Sequence, residues 1–266
     1  MSARFVNVEF HCHSMRSVDG MMPHDALLRA AGVVGLDVVA ITDHDTVEGA
    51  FELRQLVQER SLPLQIIVGE ERTLDDGSHF IGLFLERAIV ARNLAGAIAE
   101  ITEQGGLCLI PHPFRKKDGL LRNGLEPLKL LEGKVAGFEL FSAKCSYEEN
   151  RRSAELLESC RLAPFGGSDA HYECDLGECV NRVEWTGDLR ASIQRMFQRQ
   201  GPFEILGKGQ ETGARERSYA ALYHRVKKYV GLPKLLVPAA RDGYRRYRNW
   251  KFGIGRKPLR EIYRHA

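Results

Sequence analysis

Phe5 to His13, FVNVEFHCH, reads as a β-strand that ends in two histidines. Side chains alternate faces in an extended chain, so His11 and His13 point one way and Cys12 the other. Two imidazoles two residues apart at a strand end can hold one metal ion. Asp169 and His171, in GGSDAH, repeat that spacing.

Further apolar runs of strand length occur at residues 38–41, 64–68, 80–85, 107–110 and 135–141, with a weaker one at 162–165. Helix-like segments lie between most of them, at 23–34, 46–59, 88–103 and 147–160. Thr46 with Glu48 and Glu52 marks a helix start, and Gly105-Gly106 a stop. This alternation predicts an α/β fold with a mostly parallel sheet or barrel. Chemistry-bearing residues follow the strands directly. VNVEF precedes His11, VVAIT precedes Asp43 and His44, QIIVG precedes Glu70 and Glu71, and CLI precedes His112. A parallel barrel gathers such groups at its C-terminal rim. Asp19 in SVDG and His79 in SHFIG belong to the same set. One histidine beside an apolar strand is ordinarily a hydrogen-bonded structural residue. Six, with several carboxylates at successive strand ends, point to metal binding. His24, His224 and His265 have no such setting.

Composition limits the alternatives. The 266 residues are 44% hydrophobic and 27% charged, which excludes a disordered chain and a collagen-like repeat. Apolar runs are far shorter than the ~20 residues of a membrane span. The first residues, MSARFVNVEFHCHS, show no secretory signal pattern. Cysteines 12, 108, 145, 160, 174 and 179 form no CxxC pair, so free thiols and a cytoplasmic location are expected. The net charge of +3 conceals two halves. Residues 201–266 carry 16 Lys and Arg against 5 Asp and Glu, a balance of +11. The first 200 carry 22 against 30, a balance of −8. A boundary is therefore expected near Gly201-Pro202, separating a domain at 1–200 from a basic extension at 201–266. The extension holds six of the eight tyrosines and two expected helices, at 219–230 and 233–248.

FHCHS, SVDGMMPHDALLRAA and GLDVVAITDHDTVEGA, followed by GEERT, HFIGLFL, IPHP, VAGFELF and GGSDAH, resemble the PHP (polymerase and histidinol phosphatase) domain family. The resemblance covers residues 5 to about 180 in the family's order. It implies a distorted seven-stranded (β/α) barrel with two or three divalent ions (Mn²⁺, Zn²⁺ or Fe²⁺) and hydrolysis of phosphate esters. By the same resemblance the metal ligands are His11, His13, Asp19, His44, Glu71, His79, His112, Asp169 and His171, with Glu71 bridging and Glu70 its near alternative. Glu71, Asp169 and His44 are the catalytic candidates. The implied grouping puts His11, His13, Glu71 and Asp169 near one ion and Glu71, His79 and His112 near a second. Asp19, His44 and His171 serve a third. Val18 and the Ile110-Pro111 pair before His112 depart from the family's pattern.

Phosphate esters are anionic and repel hydroxide; divalent ions neutralise them and supply a metal-activated hydroxide near neutral pH. Imidazole with carboxylate suits transition metals, and no cysteine falls at a matched position. The expected activity is therefore a metal-dependent phosphoesterase acting on small phosphomonoesters, nucleotides or oligonucleotide ends. The rivals are an inactive module for partner binding and a nuclease directed by the basic tail. Asp43 and Asp45 are candidates to orient an imidazole, with Asp45 equally a helix cap. Arg115, Lys116 and Lys144 are candidate phosphate contacts, against the plainer reading of solvated loop charges; Lys117 shares that run. The tail suits packing on the acidic barrel first, then nucleic acid or an anionic membrane surface through residues 208–266.

Overall fold

The computed structural model describes residues 3–131, 133–208, 237–255 and 258–266; the helix expected at 219–230 lies outside them. β1 (Phe5–Cys12) is buried along most of its length and stands inside the sheet. β2 (Val38–Ile41) and β3 (Gln65–Thr73) add to it in parallel. β4 (His79–Leu83) and β5 (Leu107–Ile110) follow in antiparallel, and β6 (Gly137–Ser142) and β7 (Ala163–Gly167) return to parallel. On the other side of β1, β8 (Cys179–Glu184), β9 (Phe203–Lys208) and β10 (Leu259–His265) pair antiparallel.

The described sheet thus has ten strands where seven were expected, and it is mixed rather than mostly parallel. The reason is local at β4. Only residues 74–78 separate it from β3, and a parallel crossover needs a dozen or more residues. β8 and β10 escaped notice because Asn181 and Arg182 interrupt one, and Arg260, Glu261 and Arg264 the other. In the described part of the extension, strands accompany helix. That part contains β9, β10 and one helix, α7 (Val237–Phe252).

Helices α1 (His24–Val34), α2 (Glu48–Glu59) and α5 (Tyr147–Ser159) fall within two residues of the expected ranges, whereas α3 (Leu94–Glu103) starts six residues later than expected, where Asn93 caps it. Ser146 and Glu149 close a reciprocal capping box at α5. α4 (Glu126–Leu131) and α6 (Leu189–Phe197) were not foreseen. No helix among the described residues is long and apolar enough to cross a membrane.

The sheet curls until the end of β7 meets β1. Ala170 bridges Cys12, and the His13 N–H donates to the Ala170 carbonyl at 2.9 Å. Below this point a side chain replaces the strand ladder. Buried Asn181 donates through Nδ2 to the carbonyls of Val8 (3.1 Å) and Gly166 (2.8 Å), and its Oδ1 accepts the Gly166 N–H at 2.8 Å. Gly166 must be glycine, since a Cβ there would lie 2.4 Å from Cys179 Sγ. Phe10, Phe165 and Phe197 fill the interior next to this seam, with ring centroids 5.5–6.1 Å apart.

Asn181→Ala should leave the buried N–H and C=O of Gly166 unpaired, each costing about 1–3 kcal/mol, while the Val8 carbonyl keeps its place in the β1–β8 ladder. Urea unfolding should show a loss of at least about 2 kcal/mol. A loss below about 1 kcal/mol would mean that the seam does not depend on Asn181.

Candidate metal centre

The curl brings all nine expected ligand positions to one end of the sheet. His11 lies in β1 and His13 just beyond it; His44, His112 and Asp169 follow β2, β5 and β7. His79 is the first residue of β4. Because β4 runs antiparallel, its first residue lies at the same end as the last residues of its neighbours. Glu71 and Glu70 point to opposite faces of β3, as pleating requires. Glu71 faces the imidazoles; Glu70 accepts the Ile89 N–H at 2.8 Å, and burial pushes its carboxyl up to about 7.

Fully buried Glu71 is surrounded by five imidazoles. Its Oε2 stands 3.1 Å from His11 Nε2, 3.2 Å from His13 Nε2 and 3.5 Å from His44 Nδ1. Its Oε1 stands 2.9 Å from His79 Nδ1 and 2.8 Å from His112 Nε2. Asp169 Oδ1 adds contacts to His13 Nε2 (3.2 Å), His11 Nε2 and His171 Nδ1 (both 3.5 Å). Asp19 Oδ2 faces His171 Nε2 at 3.0 Å and His44 Nε2 at 3.5 Å. Four sets of ligand atoms are close enough to share an ion. They are His11, His13, Glu71 and Asp169; His44, Glu71 and His79; His79, His112 and Asp118; and His13, Asp19, His44 and His171.

The residues fit a cation. His13 Nε2 and His44 Nδ1 are buried and make no well-aligned hydrogen bond, although carboxylate oxygens stand 3.2–3.5 Å away. Burial opposes charge on His13, yet Asp169 and Glu71 raise it to about 10. Burial likewise opposes charge on Glu71 and Asp169, but the histidines hold both carboxyls well below the usual carboxylate range. His112 is held below its ordinary value by burial and by Arg115. His112 and Asp169 also adopt left-handed backbone, at φ 26° and 49°. Such conformations cost about 1–3 kcal/mol each and concentrate at functional sites.

Three residues of this region were not singled out from the sequence. Glu139 Oε1 lies 3.3 Å from His11 Nδ1, and its Oε2 accepts the His112 N–H at 2.6 Å, so one carboxylate orients two of the nine. Glu9 accepts the backbone N–H groups of His11 (3.0 Å) and Ser168 (3.1 Å). A lone glutamate inside each apolar run, VNVEF and GFELF, was the available signal. Asp118, beside His79 and His112, gave none.

Of the other candidates, only Arg115 meets the cluster. Asp43 touches no imidazole and instead accepts from the Ser14 N–H (2.6 Å) and Oγ (2.7 Å). Asp45 accepts from the Thr73 N–H and from Arg72, both at 2.9 Å, and does not cap α2. Arg115 reaches the cluster, with Nη1 2.5 Å from Asp169 Oδ2 and Nε on Asp118. Lys116 is exposed. Lys144 pairs with Asp175 at 2.8 Å.

The family model described as the PHP domain matches residues 9–161, and that described as PHP-associated matches 147–195. An uncharacterized protein of Methanocaldococcus jannaschii is 30% identical over 177 residues, which is 65% of this chain and 68% of that one. A second from the same organism is 39% identical over 90 residues, covering 33% of this chain and half of the relative's length. Among solved structures, a two-domain Bacteroides vulgatus protein containing a predicted PHP-like metal-dependent phosphoesterase superposes with a TM-score of 0.64. The identity is 19%, over 77% of this chain and 65% of that one. The lesion-specific endonuclease of Pyrococcus furiosus superposes at 0.60, with 17% identity over 76% of this chain and 58% of that one.

Metal uptake should release protons, because His13 carries one in the metal-free protein up to a pH of about 10. Lower pH favours the proton, so Mn²⁺ affinity should fall as pH falls, by about tenfold per unit for each proton displaced. Titration with Mn²⁺ in a weakly buffered indicator solution measures both effects. Affinity independent of pH between 6 and 8 would contradict this protonation state.

Proposed function

The chain belongs to the PHP domain family, and on that footing we propose that it is a metal-dependent hydrolase of phosphate esters centred on Glu71. The observation that carries this reading is one buried carboxylate whose two oxygens divide five imidazoles between them, three on Oε2 and two on Oε1. A carboxylate so placed suits the bridge between two cations.

In this reading His11, His13, Glu71 and Asp169 hold one ion, and Glu71, His79 and His112 a second, with Asp118 at its edge. Asp19, His44 and His171 serve a third, with His13 beside them. When bound, such ions neutralise phosphoryl oxygens and lower the pKa of water toward neutrality. The chain's own groups set the geometry. Glu139 fixes the His11 ring and the His112 backbone, and Glu9 fixes the turn of chain between β1 and Ser168. Of the three cations expected at the substrate, Arg115 touches the cluster, and the proposal gives the phosphate to it. Its Nε and Nη1 are engaged by Asp118 and Asp169, which leaves Nη2 as the donor for an anion.

Small phosphomonoesters and nucleotides are the substrates this buried centre suits best. Oligonucleotide ends are a second reading, favoured by a file of rings leading away from His171. Tyr172, Tyr244, Tyr247 and Trp250 succeed one another at centroid distances of 5.9, 6.4 and 6.3 Å, and Trp250 is 81% exposed. Tyr247 and Trp250, exposed beside Arg and Lys, suit base stacking. An inactive binding module is the weaker reading, because a full set of nine donors converges here.

Glu71→Gln in metal-loaded protein should lower turnover of a chromogenic phosphomonoester by at least about 100-fold. His24→Ala should change it little, since His24 faces Glu52 at 3.5 Å, outside the cluster. Equal rates in the two variants would refute the assignment.

A further inference from the structure

Helix α7, from the basic extension, grips the loop that presents His171. Asp175 is only 1% exposed. Its Oδ2 accepts the backbone N–H groups of His171 (3.3 Å) and Tyr172 (3.2 Å) and pairs with Lys144 Nζ at 2.8 Å. Its Oδ1 takes Arg248 Nη2, from α7, at 2.9 Å. Buried Glu173 pairs with Arg245 and accepts from Asn249 Nδ2 at 2.6 Å, both again from α7. Asn249 Oδ1 in turn accepts the Cys174 N–H at 3.1 Å. The Arg248 guanidinium lies over the Tyr172 ring at 4.4 Å.

The same helix touches the other loop of that region. Arg241 donates to the Gly20 carbonyl at 3.4 Å, one residue from Asp19. The Met21 N–H donates to the His171 carbonyl at 3.1 Å, so the two loops are joined directly. Asp19 and His171, the side chains these loops present, face each other at 3.0 Å. By contrast, His11, Glu71 and His79 belong to strands of the sheet itself.

We propose that α7 is a positioning element of the metal centre, and that Arg248 and Arg245, through Asp175 and Glu173, set the occupancy of the ion position formed by Asp19, His44 and His171. The physical reason is charge burial. A carboxylate as enclosed as Asp175 needs cationic partners to stay in place. Arg248 supplies one from outside the barrel, and Asp175 hands that constraint to the backbone N–H of His171. The two arginines act through the loop and touch none of the nine donors. Lys144 belongs to this same network rather than to substrate. The inference rests on the metal-centre reading and adds that one part of it is held in place by the C-terminal extension.

The test uses the full chain, stripped of metal and titrated with Mn²⁺, with elemental analysis after dialysis. His171→Ala marks which class of Mn²⁺ sites belongs to this position. Arg248→Met and Arg245→Met should each weaken that class by about 10–100-fold, the usual cost of losing an outer partner of a ligand. The remaining Mn²⁺ should bind as in wild type, and Arg248→Lys should recover most of the loss. Thermal melting of the metal-free variants guards against general unfolding. Wild-type affinity in both methionine variants, equal weakening of every class, or a His171→Ala protein that binds like wild type would overturn the proposal while leaving the metal centre standing. A wild-type chain that takes up no Mn²⁺ would overturn the metal-centre reading itself.

Discussion

The contact between Glu71 and its five imidazoles is the constraint on which the rest of the structure turns. A carboxylate or an imidazolium alone in a dry interior is prohibitively costly, so each must be neutralised by the others or by a cation. Meeting that condition requires residues from β1, β3 and β4, and from the ends of β2 and β5, within 3.5 Å of one carboxylate. The antiparallel β4, set by its short connection to β3, brings His79 to the common end, and the backbone is left-handed at His112 and Asp169 beside it.

Below the cluster lies a second polar tier inside the otherwise apolar curl of the sheet. Glu9, Glu139 and Asn181 are all buried; Glu9 and Glu139 bond to the backbone of His11 and His112, and Asn181 to that of Val8 and Gly166. Their hydrogen bonds do two jobs. They close the seam between β7 and β1, where no continuous ladder forms, and they hold His11 and His112 in place. Gly167 reflects the crowding there, since a Cβ would lie 1.9 Å from Glu139 Oε1 and 2.8 Å from His11 Cβ. Seam and site therefore share side chains, and damage to one is transmitted to the other.

The opposite charges of the two parts of the chain also find a structural use. Arginines of α7 meet buried carboxylates of the 171–178 loop, and β10 extends the sheet alongside β9. Arg264 on β10 meets Glu204 on β9 at 2.9 Å, a surface pairing of small energetic weight. The Asp175 network is different in kind, because its carboxylate is enclosed and its partners cannot be replaced by water.

By itself the sequence determined the α/β class, six apolar strands with a weaker seventh, four helices and the nine residues that converge at the centre. The elements were legible because strand and helix periodicity is local, and HCH shares a face by alternation; the full set of nine came from the family resemblance of short motifs taken in order. Tertiary structure decided what depends on distant segments. Asn181 reads as an ordinary polar residue in a weak strand until Val8 and Gly166 come within reach of its amide. Glu139 and Glu9 are only odd charges in apolar runs until the curl puts His11, His112 and Ser168 beside them. Lys144 and Arg248 look like solvated cations in sequence, but a carboxylate between them in the fold gives both a fixed partner. Hydrophobic patterning specifies which face of a strand is buried; which charges meet inside depends on how the sheet closes, and that is a property of the whole chain.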